Sequence, residues 1–294
     1  MIRPPRRFPR LSIASFVAVA VAAALLHLDA PRAGGLPVDP AWAADPSWDD
    51  GLAEVSVYAA ERVIEGATRK HEVRMIVVKE DFAADAHVKA DPPLGNRALT
   101  TVLKLNLVAT VPAGNYPYQF LTSVFVRRDD VRRLVKATSG SQEWCGNVFK
   151  EIVTWDGPPR VHFHSYFEGQ ADGERPLALG SDGLLDEQLL VALRSISLPD
   201  GESLRLRVAD SLTLSPLSPR EVRDATLAAA GTEGVETPLG RRTSRRYELR
   251  RAGGMESTYW VEAAAPRSIL RLESSDGTRM LLRERTRRAY WTRR

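Results

Sequence analysis

A chain of 294 residues with 44% hydrophobic and 27% charged residues has the balance of a folded globular protein and excludes long disorder. Its net charge of +4 is concentrated at the start: residues 1–43 hold five arginines and two aspartates, while residues 44–294 carry 36 Lys and Arg against 35 Asp and Glu. A near-neutral body argues against nucleic acid as a partner, and a single cysteine leaves no internal disulfide to stabilise the fold.

Arg3, Arg6, Arg7 and Arg10 precede an apolar run from Leu11 to Leu28. A basic start followed by such a run predicts an export signal. As a helix of about 18 residues it would reach roughly 27 Å, long for a cleaved signal and just short of a membrane span, so a signal peptide and an inner-membrane anchor both stay open. Ala41-Trp42-Ala43 fits the small-x-small cleavage pattern before Ala44. Residues 1–43 are therefore read as leader plus linker and 44–294 as one β-rich envelope domain, with a possible sub-boundary near 180–200. Gly34 to Trp48, rich in proline and small residues, reads as the linker. The expected location is the periplasm, or the inner membrane facing it.

Structure is predicted from about Gly51. Ala53, Val55 and Val57 alternate with polar residues, Val73, Met75 and Val77 alternate with Glu72 and Arg74, and Ile76 and Val78 make the end of that second strand apolar on both faces, as in a central strand. Leu103, Leu105, Leu107 and Val111 face one way while Lys104, Asn106 and Thr110 face the other, and Tyr116, Tyr118, Phe120, Val124 and Val126 repeat that period of two. Ser141-Gln142-Glu143-Trp144-Cys145-Gly146-Asn147 is expected to join the end of one strand to the start of the next. In the following segment Val161, Phe163 and Phe167 alternate with His162, His164, Tyr166 and Glu168. A helix is predicted from about Leu184 to Ile196, with Ser181 or Asp182 as N-cap. Strands then resume, with Gly253-Gly254 and Asp276-Gly277 at hairpins. The arginines of the final strand, Arg279, Arg283, Arg285, Arg287 and Arg288, read as a charged edge that discourages strand addition. The fold class is mainly β: a curved antiparallel sheet or half-barrel with one or two short helices, after an N-terminal signal or anchor helix.

The segment Asp186 to Trp291, with its Gly234–Gly240 connector and closing meander, resembles a bacterial envelope domain family of unknown function. The resemblance implies a curved antiparallel sheet similar to the half-barrel of lipoprotein-localisation carriers. More broadly, the Ser-Gln-Glu-Trp-Cys-Gly-Asn run at 141–147 and His-Ser-Tyr at 164–166 resemble a group of exported bacterial proteins, some labelled "septum formation inhibitor Maf". The label does not fit, since the Maf family has an N-terminal Ser-Pro-Arg-Arg motif where this chain has its leader, and Ser218-Pro219-Arg220 reads as a loop tripeptide. The resemblance carries over no catalytic residues.

Three chemical constellations remain. Cys145 with His162 or His164 has the residue types of a thiolate nucleophile and its base, and would make a hydrolase. His162 and His164 share one strand face with Glu168, as strand-borne metal ligands do, and His71, His87 or Cys145 would have to complete that site. Trp144, Asn147, His162, His164 and Tyr166 would form the polar patch at the mouth of an apolar cavity. The alternative reading of Gln142, Glu143 and Asn147 is that they satisfy backbone groups where the chain bends at Gly146. No P-loop, dinucleotide fingerprint or nucleophile elbow occurs, so no cofactor is expected. The leading expectation is a non-enzymatic envelope protein that holds a lipid-like apolar molecule on a curved sheet. The alternatives are a membrane-anchored assembly factor that contacts other envelope proteins, with Leu11 to Leu28 in the membrane, and the hydrolase.

Overall fold

The structure is a computed structural model that describes residues 32–33, 35–155, 157–213 and 221–292. The Leu11 to Leu28 run and Ser218-Pro219-Arg220 lie outside the described residues. Among those described, no helix is long and apolar enough to cross a membrane.

The chain is mainly β, a single curved, unclosed sheet. From the N-terminus come β1 (Arg32–Ala33), β2 (Ala53–Ile64), β3 (Ala67–Ala83), the short β4 (Val88–Lys89), β5 (Leu99–Ala113) and β6 (Tyr116–Arg127). The run continues through β7 (Leu134–Glu143), β8 (Gly146–Val153), β9 (Arg160–Ser165), β10 (Gly173–Pro176) and β11 (Gly183–Leu185). The second half holds β12 (Ser203–Ala209), β13 (Val222–Thr237), β14 (Gly240–Arg251), β15 (Glu256–Glu262), β16 (Ile269–Ser274) and β17 (Arg279–Arg288). From β5 to β10 the strands form one antiparallel meander and from β12 to β17 another. The two meanders meet in the middle, where the last strand β17 pairs with β2, and β2 continues through β3 to β5. At the far edge β11 and β1 add to β12 in parallel. No residue pairing among the described residues joins that edge to β10.

The concave face is packed from two sources. A short helix, α2 (Leu189–Ala192), buries Leu189, Leu190, Val191 and Ala192, with Leu193 and Ile196 following. The second source is the N-terminal segment, where α1 (Pro40–Ala44) and a 3-10 turn (Pro46–Asp49) insert Trp42 and Trp48. One hydrophobic cluster runs from Leu36 to Leu282 through both meanders. Ala53, Val55, Ile76 and Val78 make a smaller second cluster, which is why β3 is apolar on both faces there.

Arg194 holds these pieces together. Its side chain is fully buried, donates to Glu54 Oε2 at 2.9 Å and to the Pro266 carbonyl at 3.0 Å, and lies 4.8 Å from the Trp42 ring centre and 5.7 Å from that of Trp48. Nε and Nη1 have no hydrogen-bond partner, and the two indole faces stand against the guanidinium, an arrangement worth about 2 kcal/mol or more when the cation is desolvated. Trp42 donates to the Pro266 carbonyl and Trp48 to the Trp42 carbonyl.

Several expectations change here. The described part of the expected linker, Gly35 to Trp48, is packed rather than free: Asp39 caps α1 by accepting from the Ala41 N–H, Pro40 opens the helix, and the tryptophans supply enough apolar surface to anchor it. Cleavage before Ala44 would remove the Trp42 ring from the core. The predicted helix from Leu184 to Ile196 shrinks to Leu189–Ala192, because Gly183–Leu185 pairs with β12 as a strand and Gln188, not Ser181 or Asp182, occupies the cap position. The Gly234–Gly240 connector is the tip of a long hairpin between β13 and β14. The strand β17 is central rather than an edge, pairing with β16 and β2, and three of its arginines meet carboxylates: Arg287 forks onto Asp50, Arg285 reaches Glu262, and Arg279 reaches Glu61.

Replacing Arg194 by Met leaves the Glu54 carboxylate buried without its cation, so denaturant unfolding should show a loss of about 3–5 kcal/mol. The double variant Glu54→Leu/Arg194→Met should recover most of it. Equal loss in the double variant would show that the aromatic box, not the charge pair, carries the stability.

Candidate functional site

Strand alternation decides which side chains enter the concave space. Leu107, Thr122, Ser139, Lys150 and Phe163 lie in one row across β5 to β9, and the row enters that space through Leu107. A cavity of about 570 Å³ remains there between the sheet, α2 and the turns at one end. Val73, Leu107, Ala109, Phe120, Leu190, Tyr259, Leu272 and Met280 supply its apolar wall.

Charged groups ring the same cavity. Half-buried Asp186 pairs with buried Arg251, and desolvation raises the Asp186 carboxyl above its ordinary value. Glu187 accepts from the Leu212 N–H at 2.7 Å and from the Ser211 hydroxyl. Arg62 lies 4.8 Å from the centre of the Phe120 ring and donates to the Thr213 carbonyl at 3.5 Å, and burial lowers its pKa. His71 sits beside Ala60 in the β2–β3 register; burial pushes its pKa below the ordinary imidazole value, so the neutral ring is the favoured form.

A file of aromatic rings leads outward from this wall. Phe120 meets Tyr118 edge-on at 6.4 Å, Tyr118 meets Tyr116 at 5.6 Å, and Tyr116 stacks on Trp144 at 5.5 Å. Trp144 is 79% exposed, so the file joins the cavity wall to solvent. Tyr118 donates to Glu65 at 3.3 Å, and burial followed by the nearby Glu143 and Glu65 charges raises its pKa.

Trp144 and Cys145 form the turn between β7 and β8, as the sequence predicts. Cys145 is exposed and shares a hydrogen bond of 3.0 Å with the Tyr116 hydroxyl, which raises the Tyr116 pKa. Its partner is thus a tyrosine rather than a histidine. Tyr166 donates its N–H to the Asn147 carbonyl and lies across Gly146, where an added Cβ would come 2.3 Å from the ring. This contact binds the 141–147 run to the 164–166 run and requires glycine.

His162 and His164 lie on the opposite face of β9 from Phe163, outside the concave space. Their Nδ1 atoms stand 3.1 Å from Glu174 and 3.3 Å from Asp172. Glu168 falls in the turn beyond β9, off the strand face that would have aligned it with them. His71 is on the concave side, and His87 stacks on Trp155 at 3.8 Å. Among the described residues, no group of three or more His, Cys, Asp or Glu is placed to hold a metal ion. Of Trp144, Asn147, His162, His164 and Tyr166, none lines the cavity, and Trp144 reaches it through Tyr116 and Tyr118. Arg62 and Phe120 are the residues that sequence reasoning passed over as site groups. The available signal was Tyr116, Tyr118 and Phe120 at alternate positions, a row of rings on the core-facing side.

A depressed imidazole pKa means that the unfolded chain binds more protons than the fold just below pH 6.5. The contribution of His71 is therefore complete above about pH 6.5 and is lost as pH falls toward the folded-state value. His71→Gln should flatten the fall in thermal midpoint between neutral and mildly acidic pH; an unchanged slope would assign the fall to other groups.

No family model matches the chain, and no curated protein matches it. Among solved structures it is similar to a crystal structure of a beta-barrel-like protein of the domain of unknown function DUF1849 from Brucella abortus, with 10% identity, 80% of this chain and 97% of that chain covered, and a TM-score of 0.45.

Proposed function

We propose that the protein is a non-enzymatic carrier of a lipid-like apolar molecule in the bacterial envelope. The observation that carries this reading is the cavity of about 570 Å³ left on the concave face after α2 and the tryptophans have packed. Its size falls within the range of about 300–1,000 Å³ used by small-ligand sites, and it combines a wall of aliphatic and aromatic side chains with a ring of charged and hydroxyl groups. The rings from Phe120 to Trp144 supply an apolar route between that wall and the outside. The leader, with four arginines before the Leu11 to Leu28 run, supports export to the periplasm or anchoring in the inner membrane.

A second reading, an assembly factor that works through protein contacts, is favoured by a different observation. Trp144 and Tyr166 are strongly exposed, and Leu121 and Phe149 are exposed in one cross-strand row with Gly140 between them. Crosslinking in cells that captures a specific neighbour through these positions would support it.

The carrier reading is tested by filling the cavity. Ala109 is half-buried on β5 and lines the space, so Ala109→Trp should occupy it. Native mass spectrometry of gently purified protein should show a lipid-sized adduct that Ala109→Trp loses while retaining its fold by circular dichroism. An adduct that persists in a folded Ala109→Trp variant would place the ligand elsewhere, and an unmodified protein that takes up no added lipid would end the reading.

A further inference from the structure

We infer that the cavity selects an amphiphile with an oxyanion headgroup, a carboxylate or a phosphate, and that Arg62 binds the head. The inference rests on the carrier reading and adds the ligand's polar end. The other charged groups of the cavity wall are already engaged. Asp186 pairs with Arg251, Asp210 with Arg223, and Glu61 with Arg279 and Lys70, while Glu187 accepts from Leu212 and Ser211. Asp276 accepts from the Thr278 N–H at 2.8 Å and is the carboxylate whose field reaches Arg62.

Arg62 differs from all of these. Among the described residues no carboxylate lies within ion-pair distance of it, its hydrogen bond to the Thr213 carbonyl is a long 3.5 Å, and its guanidinium is partly desolvated against the Phe120 ring. Arg69 stands directly opposite in the β2–β3 register, and its Nε is buried without a hydrogen-bond partner. Two like charges facing each other across a strand pair repel. An oxyanion between them would cancel that repulsion and supply acceptors for the planar guanidinium fork, for which carboxylates and phosphates are the matching groups. The neighbouring wall of Val73, Ala109, Phe120, Leu272 and Met280 then takes the chain, so head and tail are bound by adjacent parts of one space.

The test is displacement of N-phenyl-naphthylamine, an uncharged fluorescent probe, from the full chain by dodecanoate, dodecyl phosphate and dodecanol. At least one of the two anions should compete about tenfold better than the alcohol, the scale of a charge-assisted hydrogen bond. Which of the two is the better competitor identifies the head. Arg62→Gln should bring the anions to the level of the alcohol and leave the alcohol unchanged, and Arg62→Lys should retain part of the preference. Asp276→Asn, which keeps Arg62 and removes the opposing field, should strengthen anion binding and serves if Arg62→Gln fails to fold. Equal competition by anions and alcohol, or an anion preference that survives Arg62→Gln, overturns the headgroup inference while leaving the carrier reading intact. Failure of the probe and every competitor to bind overturns both.

Discussion

A buried cation between two indoles is the constraint on which the rest of the molecule depends. Arg194 follows α2, Glu54 begins β2, Trp42 and Trp48 come from the segment before the sheet, and the Pro266 carbonyl lies between β15 and β16. Three stretches far apart in the chain, 42–54, 194 and 266, therefore meet at one guanidinium. A charge taken out of water is stable only when its partners are held in place, and here the partners belong to β2, to the N-terminal segment and to the β15–β16 connection. The effect extends outward through Trp48, whose other neighbour is Arg287 of β17, itself forked onto Asp50.

That arrangement explains why the concave face is filled unevenly. The tryptophans and α2 pack one part of the interior, and the sheet continues past them toward the turns between β2 and β3, β5 and β6, and β7 and β8. Among the described residues nothing comparable reaches the strand ends there, and a space remains between Leu107, Phe120, Tyr259 and Met280. Incomplete packing of a dense protein interior costs dispersion contacts along the walls of the void. The same strand ends carry Tyr116, Tyr118 and Trp144, which extend the apolar wall to the rim.

Much of this was legible in the sequence because it follows from a period of two. The alternation at Leu103 to Val111 and at Tyr116 to Val126, and the doubly apolar Met75 to Val78, correspond to β5, β6 and β3. Local chemistry failed where long-range partners overrule it. The arginines of β17 read as an exposed edge, yet the strand is central, paired with β16 and β2, and carboxylates at Asp50, Glu61 and Glu262 meet three of those arginines. The strand β13 was not predicted, since its run of alanines lacks the β-branched signal and it forms by pairing with β12 and β14. The helix was overextended because Leu185 fits a helical spacing while its backbone is claimed by β12.

By itself the sequence determined the class of structure and the faces of its strands, since alternation of apolar and polar side chains is a local property of the backbone pleat. It also determined that the 141–147 run would form a turn between strands. Only the tertiary structure decided that His162 and His164 look away from the interior, that Cys145 meets Tyr116, and that Arg62 stands over Phe120 facing Arg69. Which strands neighbour one another, and which side of the sheet becomes concave, depend on contacts across more than a hundred residues. Side chains from β2, β5, β6 and β17 enclose one space only after those contacts have closed.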